Sequence, residues 1–165
     1  MSEIDELAQR IVAVMTERKL TLGVVESCTG GQLAAAITAV PGASAVLRGG
    51  IVAYSNAIKA QLLGVDWSTL DDHGAVSEEC ARELVDNGGI ALRGDYAIAI
   101  TGVAGPDGGS DDKPVGTVYI AWSGPAGTEI ERLQLSGDRP AVQRQAVERA
   151  LARLAELLDA SAAAS

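Results

Sequence analysis

This chain of 165 residues has no phenylalanine, three tyrosines and two tryptophans. With so few rings, the core has to be assembled from Ala, Val, Ile and Leu, and stacking platforms for single-stranded nucleic acid are not expected. Basic residues are also scarce: 13 Lys and Arg stand against 22 Asp and Glu, a formal net charge of −9. So acidic a chain is poorly suited to gripping phosphate backbones or anionic membranes, so neither a nucleic acid nor a membrane is expected as a partner. A local basic or amide-rich pocket can still hold a small anion. No apolar run approaches the roughly 20 residues needed to span a bilayer. The start, Met1-Ser2-Glu3-Ile4-Asp5-Glu6, is acidic and lacks the features of a secretion signal, which points to the cytoplasm. The two cysteines, Cys28 and Cys80, match no zinc or CxxC spacing and are expected there as free thiols.

What is present reads as one α/β domain over residues 1–165. Ile4, Leu7, Ile11, Val14 and Met15 fall at helical spacing between Glu3 and Arg18,. Short apolar runs at 21–25, 50–54 and 96–100 look like strands buried on both faces. Helical composition follows at 32–38, at 57–63 after a cap at Ser55-Asn56, and from Ser77 to about Leu92,. The stretch 66–75 reads as loop. Residues 115–122 and 128–135, joined by Ser123-Gly124-Pro125-Ala126-Gly127, read as a hairpin. A long helix is expected from Asp138 to about Leu158, with 160–165 as a frayed tail. The expected architecture is a three-layer α/β/α sandwich around a mixed, mostly parallel sheet.

Three polar segments follow the ends of strands, where open α/β sheets bind their ligands. Glu26-Ser27-Cys28-Thr29-Gly30-Gly31 leads from a strand into a helix. Ser27 or Thr29 can simply cap that helix. The free N–H groups can instead hold a phosphate or stabilise an oxyanion. The P-loop spacing is absent. In Tyr54-Ser55-Asn56-Ala57-Ile58-Lys59, Lys59 is either a solvated helix lysine or a general base with a burial-lowered pKa, which a Tyr hydroxyl can assist. The long run Thr101–Ser110 is either a mobile surface loop or a backbone cradle, with Asp107 available to ribose hydroxyls. Two other constellations are weaker. Cys28 and the only histidine, His73, have no third, orienting group for a thiol–imidazole pair. Asp71, Asp72, His73, Asp107, Asp111 and Asp112 lack the spacing of a metal site, so no metal or other cofactor is expected.

Taken together and in order, these segments closely resemble the CinA C-terminal domain family. The resemblance is carried by Glu26–Gly31, by Tyr54-Ser55-Asn56 with Lys59 and Leu63-Gly64-Val65, and by His73-Gly74-Ala75-Val76-Ser77. It continues through Thr101–Ser110 with Lys113-Pro114-Val115-Gly116-Thr117-Val118, and ends on Ser136-Gly137-Asp138-Arg139. It covers nearly the whole chain. Two departures are visible: Leu135 stands where the family often has Phe, and Gln143 follows Val142 where Arg is frequent. The resemblance implies a metal-independent hydrolase that converts nicotinamide mononucleotide to nicotinic acid mononucleotide and ammonia. It implies catalytic roles for Ser27, Tyr54 and Lys59. Substrate contacts are then expected from Thr29, Gly30, Gly31, Thr101, Gly102, Gly105, Asp107 and Arg139, with Arg139 matched to the phosphate. A non-catalytic nucleotide-binding or regulatory module of the same fold is the alternative. A homo-oligomer is compatible with the apolar faces of the first and last helices.

Overall fold

The computed structural model describes residues 1–164. Local capping chemistry starts several helices. Ser2 Oγ accepts from Asp5 N–H (3.2 Å) while the Asp5 carboxylate accepts from Ser2 N–H (2.9 Å), a reciprocal box that opens α1 (Glu3–Glu17),. Ser55 Oγ accepts from Ile58 N–H to open α3 (Asn56–Leu63), and Ser77 Oγ accepts from Cys80 N–H to open α5 (Glu78–Leu92),. The opening of α2 (Gln32–Thr38) is different. Its first residue follows two left-handed glycines, Gly30 and Gly31 (φ 59° and 103°), and no side chain at the cap position serves it. The buried Glu26 carboxylate does so from below, accepting from Leu33 N–H (2.9 Å), Ala34 N–H (3.0 Å) and Thr29 Oγ1 (2.7 Å). A buried carboxylate needs such a set of donors, and a helix N-terminus supplies them with a favourable dipole.

Five strands form one sheet in the order β2 (Leu47–Val52), β1 (Leu22–Glu26), β3 (Tyr96–Gly102), β4 (Thr117–Gly124), β5 (Gly127–Gln134). The β1–β2 and β1–β3 pairs are parallel, and the β3–β4 and β4–β5 pairs antiparallel. Four strands therefore point one way and only β4 opposes them; the sheet is mixed, as expected, with two parallel and two antiparallel pairings in place of a mostly parallel set. The chain moves from β1 out to β2 and returns past β1 to β3. The carboxyl ends of β1 and β3 thus flank the place where the strand order reverses, the usual ligand crevice of such sheets.

Strand alternation sorts side chains by size onto the two faces. Leu22, Val24, Ile98, Ile100, Ile120 and Trp122 pack with α1, α2 and α6 (Arg139–Ala164). Trp122 is fully buried and its Nε1–H donates to the Ala150 carbonyl of α6 at 3.0 Å. The other face carries Val25, Ala97, Ala99 and Ala121 against Leu84 and Val85 of α5. These small residues, in a chain without Phe, let α5 lie close to the sheet. At Gly88 an added Cβ would collide with Val25 Cγ2.

Several boundaries differ from the sequence expectation, among them the end of β3, which runs on through Thr101 and Gly102 that read as loop. β2 begins at Leu47, not Gly50, because Leu47 pairs with Leu22, and the chain leaves the sheet before Tyr54. The 66–75 stretch contains a helix, α4 (Trp67–His73). That helix is held from outside: Glu83 of α5 accepts from Asp66 N–H (2.8 Å) and from the Thr69 hydroxyl. The last helix does not fray at 160 but continues to Ala164, an alanine-rich stretch of high helix propensity,. Ser165 lies outside the described residues. Among those residues no helix is long and apolar enough to cross a membrane.

Two substitutions test this packing. Gly88→Ala is expected to cost about 1–3 kcal/mol by forcing α5 away from β1, read as a lower midpoint in urea. Glu26→Gln turns an amide N–H₂ toward an N–H of α2 or toward Thr29 and is expected to cost about 1–3 kcal/mol, read in the same way.

Candidate active site

The residues with chemical potential meet at the switch point. Ser27 is the first residue beyond β1, and its N–H donates to the Ile100 carbonyl of β3 at 3.0 Å. Lys59 lies on the inner face of α3, one turn after the Ser55 cap, and is 2% exposed. Its Nζ donates to Ser27 Oγ at 3.0 Å and to the Tyr54 backbone carbonyl at 2.9 Å. Burial pushes the Lys59 pKa below the ordinary lysine value, against a smaller opposing influence from Cys80 and Cys28,. Once neutral, the amine can keep a hydrogen on the Tyr54 carbonyl and aim its lone pair at the serine. A hydroxyl beside a neutral buried amine is an activated nucleophile.

Tyr54 meets its neighbours through two different groups. Its carbonyl touches Lys59, whereas its hydroxyl accepts from an Arg139 guanidinium N–H at 2.8 Å and its side chain is largely exposed. Arg139, the first residue of α6, also donates to the Gly105 carbonyl at 2.7 Å. One arginine therefore ties the turn after β2 to the loop after β3. Its fork has further N–H groups to offer an anion.

A cleft of about 290 Å³ opens over the serine and lysine. Ser27, Cys28, Tyr54, Asn56 and Lys59 form one side. Ala75, Val76, the stretch 101–105, Asp107, Gly108 and Arg139 form the rest. The Thr101 hydroxyl donates to the Ala75 carbonyl at 2.9 Å, so its proton is committed to holding the wall. Lys113 secures the far end of the same loop by donating to the His73 carbonyl at 2.5 Å. The structure thus brings together Ser27, Tyr54, Lys59, Thr101, Gly102, Gly105, Asp107 and Arg139. It does not bring Thr29, Gly30 or Gly31 to the cleft: Thr29 is fully buried on Glu26, and the glycines shape the turn. Nor is the amino end of α2 open to a ligand anion, since Glu26 already occupies it.

A roomier groove of about 660 Å³ lies at the opposite end of the sheet, between the β4–β5 turn and the end of α6. Its cation, Arg153, is paired with Glu129 and Glu156, so it offers no comparable chemistry.

Two alternatives from the sequence lose ground on geometry. Cys28 lines the cleft, but burial raises its thiol pKa to about 11, leaving roughly one thiolate in 10,000 near neutral pH. His73 is half-exposed at the end of α4 and faces Glu79 at 3.6 Å. Sequence reasoning did not assign Glu26 or Gln143, whose amide donates to the Cys28 carbonyl at 2.9 Å. Glu26 had a signal, a charged residue closing an apolar strand run. Gln143 stood out only as a departure from the family pattern, and nothing in the sequence tied it to Cys28, 115 positions away.

Residues 4–158 match the CinA C-terminal domain family. A CinA-like protein of Parasynechococcus marenigrum is 50% identical over 91% of this chain, but the chain spans only 36% of that protein's length. The nicotinamide-nucleotide amidohydrolase PncC of Escherichia coli K12 is 47% identical, over 93% of each chain. Among solved structures, the competence/damage inducible protein CihA of Agrobacterium tumefaciens superposes with a TM-score of 0.93 at 38% identity, covering 95% of this chain and 96% of its own. A CinA superfamily protein of Klebsiella pneumoniae gives 0.91 at 41% identity, covering 94% and 98%. By sequence and by fold, the chain belongs to the CinA C-terminal domain family.

Proposed function

We propose that this protein is an amidohydrolase that deamidates nicotinamide mononucleotide, giving nicotinic acid mononucleotide and ammonia. The observation that carries the reading is the 3.0 Å contact between Ser27 Oγ and a buried Lys59 whose amine is biased toward its neutral form. The near full-length similarity to a nicotinamide-nucleotide amidohydrolase supports the substrate.

In this reading Ser27 attacks the carboxamide carbon while Lys59 takes the hydroxyl proton directly. Tyr54 orients the amine through its carbonyl and does not relay the proton. The negative charge that develops on the carboxamide oxygen falls to the Cys28 N–H, which lies next to the nucleophile on the cleft wall,. Lys59 returns its proton to the departing ammonia, and water then cleaves the acyl-serine. Arg139 holds the phosphate with N–H groups left over from Tyr54 and Gly105. Asp107 and the backbone of Gly102 and Gly105 meet the ribose. Both cysteines are free and buried, in keeping with a reducing cytoplasm as the place of action,.

Ammonia release from nicotinamide mononucleotide, with chelator present, tests the reading. Ser27→Ala is expected to lower kcat by at least about 10³-fold with the fold intact. Binding without any release by the wild type would favour the non-catalytic module. The pH dependence has a definite sign. Neutral Lys59 is the active form, so activity rises with pH through a value below the ordinary lysine range and then levels off,. A bell centred near the histidine range and abolished by His73→Ala would contradict this.

Stability carries the opposite mark of the same shift. The folded-state pKa is lowered, so the cost of burying the charged amine is fully present at low pH and is relieved as pH rises through that value. Lys59→Met is therefore expected to abolish turnover yet raise Tm near neutral pH, with the gain shrinking as pH increases.

A further inference from the structure

The backbone around Ser27 can be accounted for atom by atom. The Glu26 carbonyl accepts from Ala53 N–H (2.9 Å), and Ser27 N–H donates to Ile100 (3.0 Å). The Ser27 carbonyl accepts from Gly30 N–H (3.0 Å). The Cys28 carbonyl accepts from Gln143 Nε2 (2.9 Å). Among the described residues the Cys28 N–H meets no oxygen or nitrogen acceptor and contacts only the sulfur of its own residue, a weak acceptor that a developing oxyanion would displace,. It belongs to a buried residue on the cleft wall.

The direction of this N–H is set by the two peptide planes beside it. In a trans peptide the C=O and N–H point opposite ways. The Gly30 bond to the Ser27 carbonyl therefore turns Cys28 N–H away from the turn. That plane can still rock about the Cys28 Cα unless the next plane is held too. Among the described residues the bond on that next plane's carbonyl is made by Gln143. It comes from α6, the helix that also carries Arg139.

We propose that Gln143 is a positioning residue for catalysis: by tethering the Cys28 carbonyl it holds Cys28 N–H in the orientation that receives the developing oxyanion. This rests on Ser27 being the nucleophile, as argued above. It gives α6 two tasks at one site, gripping the substrate's anionic end through Arg139 and fixing the oxyanion donor through Gln143. Gln143 touches no reacting atom, so its loss should lower kcat and leave KM almost unchanged.

The test uses a probe that does not depend on substrate identity. Diisopropyl fluorophosphate labels an activated serine by forming an O–P bond. Fluoride leaves, the serine proton passes to Lys59, and the phosphoryl oxygen occupies the oxyanion position. Labelling of Ser27 in the full chain is followed by intact mass, beside Tm, for wild type, Gln143→Met and Gln143→Arg. Methionine keeps the length without a donor, and arginine restores one. The expected result is labelling slowed about tenfold or more by Gln143→Met, largely recovered by Gln143→Arg, with Tm nearly level across the three. Equal rates for wild type and Gln143→Met would overturn the proposal, as would slowing that follows a fall in Tm and is not rescued by arginine. An unlabelled wild type would overturn it too. Failure of the wild type to hydrolyse nicotinamide mononucleotide while labelling persists would sink the substrate assignment alone, and the labelling comparison would still decide the role of Gln143.

Discussion

The site depends on one enclosed ammonium group. An amine taken out of water loses its hydration and shifts toward its neutral form unless an anion compensates. Lys59 Nζ meets a hydroxyl and a carbonyl, two partners that carry no charge. Among the described residues the influences that oppose the shift are the Cys80 and Cys28 thiols, and burial pushes both to about 11, so they stay uncharged near neutral pH. The pocket therefore biases the lysine toward its neutral form. The same arrangement is a burden on the folded state, which the rest of the molecule has to offset by packing.

Much of the architecture serves to keep that group in place. β1 and β3 bring Ser27 to the switch point of the sheet, and the Ser55 cap starts α3 so that Lys59 arrives one turn later. α5 can approach the sheet closely because the residues beneath it are small. Glu26 stands directly before Ser27. Its carboxylate occupies the amino end of α2, so that helix end is closed to a ligand anion. Arg139 spans the cleft between the Tyr54 hydroxyl and the Gly105 carbonyl.

The sequence was legible where local chemistry acts alone. Apolar runs placed the strands, serine caps placed α3 and α5, and the strand-end segments located the cleft. It was less legible where distant residues decide. Asp66 stands at the cap position of α4 but makes no side-chain cap bond, and Glu83 of the next helix holds that turn instead. The division of Tyr54 into a carbonyl for Lys59 and a hydroxyl for Arg139 follows from the turn after β2, which spacing does not encode. Thr29 looked like a ligand residue because it neighbours the serine, yet it faces inward to Glu26. Gln143 reaches Cys28 only after the sheet and α6 have assembled.

The central claim is that Lys59 is neutral when Ser27 attacks. The chain has three lysines, Lys19, Lys59 and Lys113, so a titration of ¹³Cε-labelled lysine by NMR resolves and assigns all of them with two single substitutions. The account predicts a Lys59 midpoint clearly below that of the exposed Lys19. A Lys59 midpoint at the ordinary lysine value, about 10.4, would contradict it.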